Sequence, residues 1–187
     1  MIGKQITKPV SDWNEYTQTA IWCNANRAAI EDKGEYYEVV NIPEPPEPTL
    51  EEVKTGKLAE LNAAFAEASA NAHCRSSLGF EINADEIANR NIEGLTLVLQ
   101  PEETTLFRAY DNTFHEVTRE QLETMRKEIV VNSQYLYQAK WTTEAHIRAA
   151  ETAEVLDTII ITAEALAELA DSLKAAASEG ADNAETV

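Results

Sequence analysis

Apolar residues return every three or four positions along most of the chain, the repeat of a helix that buries one stripe. The front segment, residues 1–42, mixes that repeat with alternation. Ile2 to Thr7 predicts a short strand, and Ser11 predicts the N-cap of a helix with Trp13, Tyr16, Ala20 and Cys23 on one face. After the break at Asn24 to Arg27, Ala28 to Asp32 and Glu35 to Val40 predict two extended arms, with Gly34 supplying positive φ between them. A small β-α-β-β unit follows from this order.

Residues 43–48 hold four prolines in six positions, interleaved with Glu44 and Glu47. Proline removes backbone donors and fixes φ, so the segment predicts an extended, solvated spacer and a domain boundary. A proline-motif ligand is the sharper alternative.

From Thr49 the helical repeat dominates. Thr49 with Glu52 three residues on is a capping box, and Leu58, Leu61, Phe65, Ala68 and Ala72 form a seam up to about His73. Cys74 to Asn83 predicts a short bent strand or tight hairpin. Asn83, with Glu86 three positions later, then predicts the cap of a helix carrying Ile87, Ile92 and Leu95 to about Gln100. Asp111-Asn112 divides Thr104 to Val117 into a hairpin, because both residues tolerate left-handed backbone. Thr118 and Gln121 open a long helix with the stripe Leu122, Met125, Ile129, Leu136, Ala139, Ile147 and Ala150, expected to break at Asn132 or Ser133. Trp141, Tyr137 and Phe65 are the expected helical core.

From Thr152 the stripe Leu156, Ile159, Ala163, Leu166, Ala170 and Leu173 steps by three and four for nearly three heptads. It is the candidate interface. Packing back on the same chain and self-association both satisfy it. Ala175 to Val187 has no large apolar residue before its last and is expected to be a mobile tail unless a neighbour holds it. The expected fold is therefore α+β, mostly α, divided into 1–42, a spacer at 43–48, a helical domain with hairpins at 49–152, and an acidic heptad helix and tail at 153–187.

Charge narrows the function. Asp and Glu number 33 against 15 Lys and Arg, a net charge of −18 in 187 residues. A phosphate backbone or anionic leaflet would be repelled, so neither nucleic acid nor membrane is an expected partner. Nine acids and one base, Lys174, lie between Glu151 and Val187. No apolar run approaches the roughly 20 residues of a spanning helix, and Met1 to Gln5 has no signal core, so a soluble, non-secreted protein is expected.

Candidate chemistry is sparse. Cys23, His73, Cys74, His115 and His146 are the residues that could bind a metal, but no short paired spacing joins them. GxGxxG, GxxxxGK[ST], GxSxG and HExxH do not occur. No catalytic residue, metal or cofactor is expected, and the chain is not read as an enzyme.

One resemblance gives the pattern a context. The ordered series Cys74-Arg75-Ser76-Ser77-Leu78-Gly79-Phe80-Glu81-Ile82, Phe107-Arg108-Ala109-Tyr110-Asp111-Asn112, Val117-Thr118, Leu136-Tyr137-Gln138-Ala139-Lys140-Trp141 and Ile147-Arg148-Ala149-Ala150 resembles a domain of uncharacterised function encoded among bacteriophage tail genes. The Tyr16 to Cys23 helix with Glu35-Tyr36-Tyr37-Glu38-Val39 and the Pro/Glu spacer is similar to the front half of small phage tail and tail-fibre assembly proteins. The resemblance covers roughly residues 10–160. It implies a tail, tail-fibre or baseplate-associated component, in the virion tail or in the host cytoplasm during assembly, with other tail proteins as partners, and the heptad-like seams add the chain's own copies as expected partners. It brings no catalytic residues. An assembly chaperone absent from the mature particle, or an acidic inhibitor that imitates nucleic acid, are the alternatives.

Overall fold

Asp12, one residue after the expected Ser11, caps the first helix because its carboxylate accepts both the Asn14 and Glu15 amides. The chain is described here by a computed structural model covering residues 1–184, with side chains of the last helix described through Ser178. The expected positions Glu185, Thr186 and Val187 lie outside the described residues. Contacts divide the chain into two packed units, residues 1–47 and 48–187. The boundary falls inside the proline segment, and residues 42–49 form neither helix nor strand.

The first unit is β1 (Gln5–Thr7), α1 (Trp13–Ala25), β2 (Ala28–Asp32) and β3 (Tyr36–Asn41), with antiparallel sheet order β1-β3-β2. Gly34 takes φ +89°, the left-handed turn expected between β2 and β3. Cys23, Ala28 and Val39 form the core, with Trp22 and Ile30 against it. The helix buries Thr19 and Cys23, whereas Trp13 is 67% exposed. Trp13 lies in the first turn, where its ring meets that of Tyr16 edge-on at 5.7 Å. Thr19 is tolerated inside because its hydroxyl donates to the Glu15 carbonyl and accepts from Lys4.

The second unit begins with α2 (Leu50–Ala70), capped by the reciprocal Thr49–Glu52 bonds. It ends at Ala70, earlier than expected, because His73 already belongs to β4 (His73–Arg75), which pairs with β5 (Glu81–Asn83). Gly79, at φ +97°, makes the tight turn between them. α3 (Glu86–Val98) is capped by Asp85, since Asn83 is the last ladder residue of β5; Ile87 consequently points to solvent. The hairpin β6 (Thr104–Arg108) and β7 (Phe114–Thr118) follows, with Asn112 left-handed at its turn.

α4 (Arg119–Ala149) then runs 31 residues without a break, and all seven residues of its predicted stripe are buried. Asn132 and Ser133 therefore do not interrupt it, because two polar residues inside a long helix cost only tenths of a kcal/mol each. They mark the place where its buried stripe pauses between Ile129 and Leu136. Ahead of that pause, Leu122, Met125 and Ile129 pack with Cys74, Ile82, Ile92 and Val117. Beyond it, Leu136, Ala139 and Ile147 pack with Leu61, Ala64, Ala68, Leu156, Leu166 and Ala170. One helix thus carries two cores.

The predicted continuous heptad helix is split into α5 (Ala153–Asp157) and α6 (Ala163–Ala184). Thr158-Ile159-Ile160-Ile161-Thr162 is five β-branched residues in a row, each stiff at χ1 and unfavourable to a helix. Thr162 then caps α6 through the Ala165 amide. Because α5 and α6 share a core with α2 and α4, no packed-unit boundary falls at 152–153. The backbone stays helical through Ala184, against the expectation of a tail from Ala175. The fold is α+β with helices dominant.

Candidate functional site

The pause in the α4 stripe opens a cleft on each side of the helix. One, of about 480 Å³, lies among α2, α3 and α4 and is lined by Phe65, Ser69, Asn89, Ile129, Ser133 and Tyr137. Its two acids are occupied locally: Asp85 caps α3 through the Ala88 amide, and Glu86 pairs with Arg90. The other, of about 340 Å³, lies among α2, α4 and α6 and includes Glu67, His73, Asn132, Glu164 and Asp171. Neither joins a nucleophile to a base within hydrogen-bond reach in the described contacts.

The metal-capable residues stay apart. Cys23 is buried in the first unit. His73 stacks on Tyr110 at 4.3 Å and lies 3.6 Å from Glu81, while His115 stacks on Phe80 at 4.0 Å. Cys74 faces the core between them, and His146 is exposed in the last turn of α4. Among the described residues no three His, Cys, Asp or Glu side chains gather as a metal site. Burial pushes the Cys74 thiol above its ordinary value; Glu128, Asp171 and Glu81 add to the shift and Lys174 opposes it. A buried thiol kept protonated is a poor nucleophile.

Glu128 behaves differently. Burial works against its charge, yet the Ser76 and Ser77 side chains, the Ser77 amide and the Lys174 charge together hold the carboxyl below the usual range. Its job is to fasten the β4–β5 turn to α4.

The six candidate interface residues face the chain itself. Leu156, Leu166 and Ala170 are buried, and Ile159, Ala163 and Leu173 pack against the same cluster. Of the two open readings, intramolecular packing is the one the structure contains.

Exposed surface lies elsewhere. Tyr137 is 44% and Trp141 58% exposed, contrary to their expected core role. They sit one residue beyond Leu136 and two beyond Ala139, so the helical turn of about 100° per residue carries them off the buried line. Tyr137 packs on the half-buried Phe65 at 4.8 Å and on Trp141 at 5.8 Å, and the Lys140 ammonium lies 4.7 Å above the Phe65 ring. A second surface is the groove of about 610 Å³ between α3 and α4, lined by Leu97, Arg119, Arg126, Lys127, Val130 and Val131. The available signal was Val130-Val131 directly after the buried Ile129, apolar residues that one stripe cannot absorb together.

The family model for a domain of unknown function, DUF4376, matches residues 52–165, and the chain belongs to that family. The match takes in α2 through the first turn of α6 and leaves out the first unit and the proline segment. No curated protein and no solved structure matches the chain. Among the described residues no helix is long and apolar enough to cross a membrane.

Proposed function

We infer that the chain is a structural or assembly component of a bacteriophage or prophage tail, a tail-fibre or baseplate-associated part that works by docking to other tail proteins and to its own copies. The observation that carries this reading is the solvent-facing pair Tyr137 and Trp141 on α4. Large aromatic side chains on a rigid helix lose little entropy when covered and are the residue types that dominate interface energetics. Trp13 offers a similar anchor on the first unit. The resemblance of the ordered residue series to a domain encoded among phage tail genes supplies the setting, and the net charge of −18 favours protein partners over polyanions.

Quantitative mass spectrometry of purified particles and of infected-cell lysate tests the reading. A fixed copy number in particles supports a tail component. Presence only in lysate, bound to a fibre protein, supports an assembly chaperone acting in the host cytoplasm. Absence from both kinds of complex, with recovery on a DNA-binding enzyme, contradicts the proposal and favours the acidic inhibitor.

A further inference from the structure

The groove between α3 and α4 joins two unusual features. Its walls include Leu97 at 78%, Val130 at 51% and Val131 at 44% exposure. Its rim gathers three bases, Arg119, Arg126 and Lys127, with one acid, Glu123, in a chain that has only 15 Lys and Arg against 33 acids. Contiguous exposed apolar surface with a charged rim is characteristic of an interaction site. Arg119 donates to Glu123 and Arg126 to Glu93. A guanidinium has five donors, so each can take a further carboxylate. Lys127 has no ion pair among the described residues.

We propose that this groove receives the start of α6 from a second copy of the chain, in a head-to-tail contact. α6 turns Leu166 and Ala170 to its own core and leaves Glu164, Ala167, Glu168 and Asp171 in solvent. Glu164 and Asp171 are seven residues apart, and so are Arg119 and Arg126. Each pair spans about 10 Å of helix. Run antiparallel, Glu164 meets Arg126, Asp171 meets Arg119, and the small Ala167 falls opposite Glu123. A parallel arrangement would instead set Glu168 against Glu123. Ile160, 74% exposed and just ahead of α6, lies at the end of α6 that this register places nearest Val130. An apolar anchor and two carboxylates on one copy thus match an apolar wall and two guanidinium groups on the other.

The contact joins different surfaces of two copies, so repetition closes a ring or extends a filament. Exposed ion pairs contribute little, and copies at −18 repel, so the association is weak and needs high local concentration.

Sedimentation of the full chain from about 10 µM to about 1 mM, at about 0.15 M salt, covers affinities down to millimolar. The average mass is expected to rise with concentration. Lys127→Glu with Val130→Asp, both at exposed positions, should weaken association about tenfold or more while leaving the unfolding transition in place. Glu164→Lys with Asp171→Lys should do the same. Mixing that variant with Arg119→Glu/Arg126→Glu should restore association that neither shows alone. A monomer at every concentration, association untouched by the groove variant, or failure of the charge-swapped pair to associate would each overturn the proposal. A monomer would leave the tail role to the particle measurement.

Discussion

The Glu128 carboxylate accepts the Ser77 amide at 2.9 Å, and this bond ties the turn of the β4–β5 hairpin to the middle of α4. A hairpin of two three-residue strands cannot hold its place alone. Cys74 and Ile82 carry the two strands of this hairpin into the core. Glu128→Gln keeps the shape but removes the charge, and denaturant unfolding should show a loss of about 1–3 kcal/mol.

The same residue predicts a pH dependence. Its folded value is lowered, so its contribution is present above the ordinary glutamate value of 4.5 and is lost as pH falls below that value through the folded one. Unfolding measured from pH 7 to pH 3 should therefore show the wild-type advantage over Glu128→Gln shrinking below about pH 4.5. A gap that stays constant would contradict the assignment.

Core and surface should separate cleanly on substitution. Leu156 is fully buried, and Leu156→Ala should cost about 2–5 kcal/mol. Trp141 is more than half exposed, and Trp141→Ala should change stability by less than about 1 kcal/mol. Phe65, partly buried under Tyr137, should fall between them. Chemical denaturation of the three variants checks the order.

Thiol chemistry offers an independent check on packing. Cys23 and Cys74 are both buried, and the Cys74 thiol is held protonated by burial. A disulfide reagent at pH 7.5 should react slowly with the folded chain and at once with the urea-unfolded chain. Fast reaction of Cys74 in the folded chain would place β4 on the surface.

Local signals were the most legible part of the fold. Thr49 with Glu52 and Thr118 with Gln121 are complete in the sequence because both partners of each bond lie within one turn. The α4 stripe was legible for the same reason: helical period alone decides which side faces inward. The split between α5 and α6 was readable in principle from the β-branched run 158–162, but the heptad repeat runs across it. Leu156 and Leu166 stay in phase because both segments cover the same core, so the repeat reflects shared burial, not one helix. Trp141 and Tyr137 misled because size suggests burial, while the angle around α4 sets it. The α3–α4 groove joins residues far apart in sequence and needs the tertiary fold.

The account depends on the α5–α6 stripe being the chain's own core, which frees other surfaces for docking. Hydrogen exchange across residues 164–173 measures this directly. Slow exchange already in dilute solution, where the chain is monomeric, is predicted. Rapid exchange in dilute solution, slowing only as the chain associates, would show that the stripe is closed by a partner and would contradict the account.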